Sequence, residues 1–309
     1  MKCMAVNELN GIINVLKPPG MSSHDIVYFI RKKYKLKKVG HTGTLDPEAA
    51  GVLPICIGKA TKAVQYITDK NKQYRAAVTL GTETDTYDKY GSVTARTEVG
   101  FIDEEAVKIA IKQFIGVIDQ IPPIYSAIKY NGKKLYQYAL EGEEVELKSR
   151  RVEIFDIEII DYTGQIIMID VKCSKGTYIR SLCHDIGKVL GCGAHMSQLI
   201  RTESAPFNIE DSYTLEEIDK ACAEGTQNSL LKPVDMIFNY PSAYIKESAR
   251  SSVLNGNTLY EKGLLDEKIN CDEGEMIKLY DSSDFLGLGR IIYNSDENRK
   301  YIKIEKLFI

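Results

Sequence analysis

The residues Gly40-His41-Thr42-Gly43-Thr44-Leu45-Asp46-Pro47 bring a carboxylate, an imidazole, two hydroxyls and two glycines into eight positions, a density that core packing does not call for. An aspartate is already ionised at neutral pH, so Asp46 can act as a nucleophile or a base provided it is held in place. Pro47 biases it toward an extended backbone, and Gly40 and Gly43 permit tight turns or close approach of a ligand to the main chain. The other reading of these residues is structural: Asp46 caps a helix with Pro47 at its first position, followed by Glu48-Ala49-Ala50. A second charge, Arg180, also asks for a reason. It falls off the apolar arc of Ile179, Leu182, Cys183, Ile186, Val189 and Leu190 in a helix that begins near Thr177 and ends at Gly191. It lies in the first turn, where the helix field disfavours a cation. Arg180 is then either a plain surface arginine or the partner that keeps Asp46 ionised and oriented.

The elements around these residues follow from periodicity and punctuation. Residues 12–16 predict a short strand entering the turn Lys17-Pro18-Pro19-Gly20. Ser22 and Asp25 then cap a helix whose apolar face is Ile26, Phe29 and Ile30. The basic run Arg31-Lys32-Lys33-Tyr34-Lys35-Leu36-Lys37-Lys38 continues off that helix, as a solvated helix end or as a set of phosphate contacts. Residues 52–57 are too short to assign by period. Residues 74–80 predict a strand with a polar loop to Asp88 beyond it, and residues 103–115 an amphipathic helix burying Val107, Ile111, Phe114 and Ile115. Consecutive prolines make residues 121–127 irregular and suited to face a ligand. Residues 129–151, dense in Lys, Tyr and Glu, read as a clamp on phosphates or as a surface excursion. Residues 152–160 and 165–173 form a strand pair around Asp161-Tyr162-Thr163-Gly164.

Length and charge narrow the class. A chain of 309 residues has room for one large domain and a smaller one. The second begins after Pro233-Val234-Asp235, and from Ala243 short apolar segments alternate with Gly, Asn and Asp turns, the pattern of a small β-barrel or sandwich. No apolar run reaches membrane length and no signal-peptide core follows the first residues, so a cytoplasmic protein without a membrane partner is expected. Seven scattered cysteines form no disulfide framework and no CxxC pair, and the neighbours Cys183-His184 and Cys192 with His195 lack further ligands for a metal. The net charge of −3 hides an asymmetry. Residues 1–75 hold 13 Lys/Arg against 5 Asp/Glu, whereas residues 240–309 hold 10 against 12, so the basic excess surrounds Asp46.

With these segments in place, the chain closely resembles the bacterial tRNA pseudouridine-55 synthase family. The resemblance rests on Lys17-Pro18-Pro19-Gly20-Met21-Ser22-Ser23, on the Gly40 to Pro47 block, and on Gly58-Lys59-Ala60-Thr61-Lys62 and Lys72-Gln73-Tyr74. It continues through Gln120-Ile121-Pro122-Pro123-Ile124-Tyr125-Ser126-Ala127 and Cys173-Ser174-Lys175-Gly176-Thr177-Tyr178-Ile179-Arg180. It implies an α+β fold: a catalytic domain over residues 1–235 with a bent, mainly antiparallel mixed sheet and an RNA-clamping insertion near 121–151, then a small PUA-like β-barrel over 236–309 that binds RNA. The implied reaction isomerises a uridine of the tRNA T loop. It breaks the N-glycosidic bond, turns the uracil and rejoins C5 to the ribose, with no cofactor and no metal.

The resemblance makes Asp46 the catalytic carboxylate, Tyr74 a ring against the target base with a possible proton-transfer role, and Arg180 the partner of Asp46. It assigns His41 to filling the opened RNA loop, since a stacked base must first be extruded. Lys17 and Lys62 become phosphate contacts, Tyr178 a support of the uracil pocket, Leu199 an apolar wall, and Asp88 an organiser of the polar loop. The expected partner is the T stem-loop of tRNA, bound by a monomer with no obligate protein partner. Asp46 either attacks C1′ to give a sugar ester or assists elimination to a glycal. One departure is Leu199-Ile200-Arg201-Thr202 where the family commonly has Leu-Arg-Arg-Thr, which puts a basic contact at position 200 in doubt. A noncatalytic tRNA-binding or folding protein on the same scaffold is the alternative.

Overall fold

The computed structural model describes residues 9–309 other than 127, 144, 283 and 297. Strand β1 (Gly11–Lys17) leads through the Pro-Pro-Gly turn into helix α1 (Ser23–Tyr34), followed by β2 (Val39–His41) and β3 (Ala50–Ile57). A 3₁₀ turn and α2 (Val64–Thr68) then carry the chain to β4 (Lys72–Leu80), the hairpin β5 (Thr82–Thr84) and β6 (Val93–Arg96), α3 (Glu104–Lys112) and β7 (Gly116–Gln120). The insertion is a small hairpin, β8 (Lys129–Tyr130) and β9 (Lys133–Lys134), with the short helix α4 (Leu135–Glu141). Next come the long pair β10 (Arg150–Tyr162) and β11 (Ile166–Cys173), helix α5 (Ile179–Val189), β12 (Ala194–Ser204), β13 (Phe207–Asn208) and α6 (Leu215–Glu224).

Nine strands form one sheet in the order β1-β3-β12-β4-β11-β10-β7, with β2 on β3 and β13 on β12. Every pairing is antiparallel except β12 with β3, so the sheet is mixed but mainly antiparallel. Alternation divides the core. On β1 and β3, Ile13, Val15, Leu53, Ile55 and Ile57 meet Ile26 and Ile30 of α1 and Ile218 of α6. The intervening Ile12, Val52 and Cys56 meet Ala60, Ala63 and Ile67 on the opposite face. These two strands are covered on both faces, which is why residues 52–57 read as an unbroken apolar run that periodicity could not assign. A third cluster packs α3 and α5 on β4, β10, β11 and β12. Truncating a fully buried isoleucine such as Ile55 removes roughly 2–5 kcal/mol.

The C-terminal strands β14 (Ser242–Tyr244), β15 (Met276–Tyr280), β16 (Phe285–Asn294) and β17 (Arg299–Leu307), with helix α7 (Glu247–Leu254), make a separate sheet in that strand order. Among the described residues this sheet does not close: β14 and β17 are its two ends, so the expected small barrel is an open four-stranded sheet here. The turn Val234–Ile237 lies between the two sheets, with Val234 and Ile237 buried beside Leu288 and Phe308.

Several local expectations met a competing contact. Residues 47–50 are not a helix: Ala49 N–H donates to the carbonyl of Asp46 at 3.1 Å in a tight turn, and Ala50 already begins β3, whose pairing with β12 takes the backbone. Gly40 lies within β2 rather than in a turn. Ile115 and Val189, counted on apolar helix faces, are 42% and 45% exposed: α3 stops at Lys112, short of the expected end at 115, and Val189 is the last residue of α5. Ser22 does form a reciprocal capping box with Asp25, and Gly191 follows the end of α5 with φ 75°.

Candidate active site

The loop carrying Asp46 leaves β2 and returns as β3, and it is tied down at each step. The Thr42 N–H and hydroxyl both reach the carbonyl of Pro54, at 3.2 and 3.1 Å. Leu45 is buried among the α1 side chains, and its N–H and carbonyl both bond the buried hydroxyl of Ser23, at 2.9 and 3.1 Å. The ammonium of Lys17 donates to the carbonyls of Pro18, Met21 and Pro47, at 2.9, 2.6 and 2.8 Å. Asp46 is thus held between an anchored residue on each side, and none of these anchoring bonds uses its carboxylate, which lines the cleft.

Arg180 meets that carboxylate with two nitrogens, Nε to Oδ2 at 3.0 Å and Nη2 to Oδ1 at 3.3 Å. This fork fixes the orientation of the acid as well as its charge. The guanidinium is itself held by the carbonyls of Tyr125 at 3.0 Å and Thr86 at 3.4 Å, with the Asp88 carboxylate 3.7 Å away. The Arg180 side chain is 8% exposed and that of Asp46 39%, so the arginine is walled in and the acid, enclosed by protein on its other sides, opens toward the cleft. Enclosure pushes the Asp46 carboxyl above its ordinary range, Arg180 pulls it back toward ionisation, Asp88 adds to the upward push, and Lys17 opposes it. A cation in the first turn of α5 is placed against the helix field, and two carboxylates are what hold it there.

The cleft in front of Asp46 encloses about 930 Å³ and is lined by Tyr74, Tyr178, Leu199 and Arg201 among others. Tyr74 and Leu199 each touch both the α5 and the α1 clusters, so they form the floor where those two cores meet on the central strands β4 and β12. Burial pushes the Tyr74 phenol up, which keeps it a neutral donor and a flat apolar face. Tyr178 precedes α5 and is fixed by Gln120, whose side chain accepts from its N–H at 2.8 Å and donates to its carbonyl at 3.0 Å.

Other expected site residues lie elsewhere. Asp88 is behind Arg180 and not in the cleft wall; its carboxylate accepts from Thr86 Oγ1 at 2.8 Å and Tyr90 N–H at 3.0 Å. His41 is half-buried beside the cleft. Its Nδ1 accepts from Gly43 N–H at 3.3 Å, its ring meets His24 edge-on at 5.3 Å, and burial, His24 and Arg201 push its pKa down, so the imidazole is neutral. Lys17 is fully buried with its ammonium engaged by three carbonyls; it supports the Asp46 loop and does not reach a surface where a phosphate could sit. Lys62 lies away from the cleft, donating to the carbonyl of Leu307 at 2.8 Å. No cluster of three metal-ligating side chains occurs among the described residues.

Two contributors escaped the sequence reading. His24 lines the cleft as the exposed partner of His41. Arg201, in the run singled out for its neighbour Ile200, is 1% exposed and donates to the carbonyl of Val52 at 2.7 Å and of Gly43 at 3.2 Å, and it lines the cleft together with Tyr74. Irregularities in the β12–β4 register after Met196 and Arg201 break the alternation that would have marked position 201 as inward. Gly51, with φ 114°, lets β3 pass so close to the Arg201 backbone that a Cβ there would lie 2.2 Å from its carbonyl oxygen. Arg201→Met is expected to cost roughly 2–4 kcal/mol in urea unfolding, because two carbonyls lose their donor while the stem volume is kept.

An oriented carboxylate facing a cleft with an aromatic and aliphatic floor defines an enzyme that works on a flat ring attached to a polar frame, by nucleophilic or base chemistry. Comparison with known proteins gives that class its identity. Residues 31–179 match the TruB family pseudouridylate synthase N-terminal domain, and residues 180–239 the tRNA pseudouridylate synthase B C-terminal domain. The chain is 50% identical over 300 residues to tRNA pseudouridine synthase B of Alkaliphilus oremlandii, covering 97% of this chain and 98% of the relative. It is 44% identical to the Clostridioides difficile protein of the same name, covering 97% and 100%. Among solved structures it is similar to an H/ACA ribonucleoprotein bound to a substrate RNA containing 2′-deoxyuridine, with a TM-score of 0.72 at 29% identity over 97% of this chain and 85% of that one. A Cbf5-Nop10-Gar1 complex matches with the same TM-score at 31% identity over 97% and 85%. The chain belongs to the TruB family of pseudouridine synthases, enzymes that isomerise uridine in tRNA.

Proposed function

We propose that this enzyme converts the uridine at position 55 of the tRNA T loop to pseudouridine, with Asp46 as the group that acts on the ribose. The observation that carries this reading is the two-point contact of Arg180 with Asp46 at the edge of a cleft floored by Tyr74. The carboxylate attacks C1′ or takes the C2′ proton as the C1′–N1 bond breaks. The freed uracil stays against Tyr74, turns, and bonds C1′ through C5, which displaces Asp46 from C1′ in the ester route or lets C2′ take its proton back from Asp46 in the glycal route; the C5 proton leaves and N1 gains one, so the product is an isomer and no other reactant is consumed. Keeping the base enclosed makes rejoining effectively intramolecular. Leu199 and Tyr178 bound the uracil, and neutral His41, with its flat ring, occupies the gap left by the extruded base.

In this reading the RNA lies across the face that carries the basic run after α1, the insertion at 129–151 clamps it, and residues 236–309 form a second RNA-binding unit after a catalytic domain of residues 1–235. The enzyme works in the cytoplasm as a monomer. No helix among the described residues is long and apolar enough to cross a membrane. Lys33 of the basic run is engaged with Asp219, so the contacts tested are its neighbours Lys32 and Lys37. Lys32→Glu with Lys37→Glu weakens tRNA binding and flattens the log Kd against log salt slope by roughly 1–2, about 0.7–0.9 per lost contact; an unchanged slope in a filter-binding series excludes these lysines. The experiment for the reading as a whole incubates the purified protein with an unmodified tRNA transcript and maps pseudouridine at single-nucleotide resolution. Product at position 55 is expected. Product elsewhere in the tRNA keeps the chemistry and removes the T loop as target.

A further inference from the structure

Behind Arg180, on the side away from Asp46, runs the loop that carries Thr86 and Asp88. The residue between them, Tyr87, has φ 62°, a left-handed conformation that a bulky side chain rarely adopts. Both of its peptide groups are committed: its N–H donates to the carbonyl of Thr84 at 3.2 Å, and its carbonyl accepts from Met196 N–H at 2.9 Å. Its ring lies flat on the imidazole of His184, with centroids 3.9 Å apart and planes 12° from parallel. His184 is buried on α5 one turn beyond Arg180, and its Nδ1 faces the Glu83 carboxylate at 3.4 Å.

Glycine would adopt this backbone without cost, and the tyrosine brings nothing to the cleft, because it does not line it. What it brings is a contact with the helix that presents Arg180. The turn it occupies sets the direction of its two neighbours: the Thr86 carbonyl and the Asp88 carboxylate both face the guanidinium, at 3.4 and 3.7 Å. We propose that the Tyr87–His184 stack is a positioning device for catalysis, locking the loop to α5 so that Arg180 presents its fork to Asp46. It rests on the reading of Asp46 and Arg180 as catalytic. Tyr87 and His184 are positioning residues, since neither touches the cleft.

The test compares single-turnover rates, tRNA Kd and pH–rate profiles of Tyr87→Gly, His184→Ala, the pair combined, and the ring-preserving Tyr87→Phe and His184→Phe. Tyr87→Gly keeps the left-handed turn and deletes the ring. It and His184→Ala are each expected to slow the chemical step about tenfold, leave Kd within about twofold, and move the acid limb of the profile upward as Arg180 loosens its hold on Asp46. The combined variant loses no more than either single one, because one contact is removed in all three, and Tyr87→Phe and His184→Phe recover the rate. Recovery by His184→Phe, which has no titratable ring, assigns the effect to stacking and not to a charge opposite Glu83. Wild-type rate and acid limb in Tyr87→Gly, or multiplicative losses in the combined variant, overturn the proposal. If Tyr87→Gly does not fold, His184→Ala against His184→Phe decides the same point. An active Asp46→Asn enzyme would instead remove the catalytic reading itself, whatever these variants show.

Discussion

Asp46→Asn is expected to abolish pseudouridine formation, with the single-turnover rate falling by at least about 10³-fold while tRNA binding stays within a few-fold. The amide keeps the size of the acid and still offers Arg180 one oxygen. It has no charge with which to attack C1′ or accept the C2′ proton. The fold survives because the loop is held through Leu45, Thr42 and Pro47, and none of those bonds uses the Asp46 carboxylate. Arg180 also retains the carbonyls of Tyr125 and Thr86. Product mapping on tRNA, run beside a binding assay and thermal melting, separates lost chemistry from lost structure. Comparable product from wild type and Asp46→Asn would refute the mechanism and favour a protein that binds tRNA without modifying it.

The second large effect belongs to Arg180→Met, expected to slow the reaction roughly 10²-fold at neutral pH and to move its acid limb upward. The sign follows from the surroundings of Asp46. Burial already raises its pKa, and Arg180 is the first of the influences that lower it. Without the guanidinium the upward push of burial and of Asp88 is opposed only by Lys17, so more of the enzyme holds a protonated, inert Asp46 at a given pH. Raising the pH therefore restores part of the rate but not all of it, because the fork that aims the carboxylate is gone. Arg180→Lys divides the two contributions: a lysine returns the charge and the acid limb moves back, whereas the two-point geometry is not restored and the plateau rate stays low. Stability follows the same linkage. A folded-state pKa raised above the unfolded value favours folding below the unfolded pKa, and that contribution is lost as pH rises through the folded pKa. The deficit of Arg180→Met in urea unfolding is thus smallest in acid and fully developed once the pH exceeds the raised pKa of Asp46. Coincident acid limbs for wild type and Arg180→Met would show that the pair does not control the ionisation of the acid.

The expected main elements were found where hydrophobic periodicity or capping chemistry acts locally. The α1 capping box, the β10–β11 pair and the buried face of α5 each depend on residues a few positions apart, and a linear reading captures them. The turn at 47–50 misled that reading because Pro-Glu-Ala-Ala favours a helix by propensity, whereas pairing of β3 with β12, some 150 residues away, imposes a strand. Lys17 shows the same limit in a side chain. The family resemblance made it a phosphate contact, which requires an exposed cation, whereas the packing of the Asp46 loop over the Pro-Pro-Gly turn supplies carbonyls that bury it.

By itself, then, the order of residues determined which groups have chemistry to offer: a carboxylate in a glycine-rich loop, an arginine placed against its helix field, a tyrosine on an apolar strand. Whether they meet was decided only by the tertiary structure. The Asp46 loop belongs to β2 and β3, Arg180 to α5, Tyr74 to β4 and Arg201 to β12, four parts of the chain that converge because the sheet order puts β12 between β3 and β4. Distances of a few ångströms between residues 134 positions apart arise from strand order, register irregularities and the meeting of two buried clusters. These are properties of the whole fold, and no window of sequence contains them.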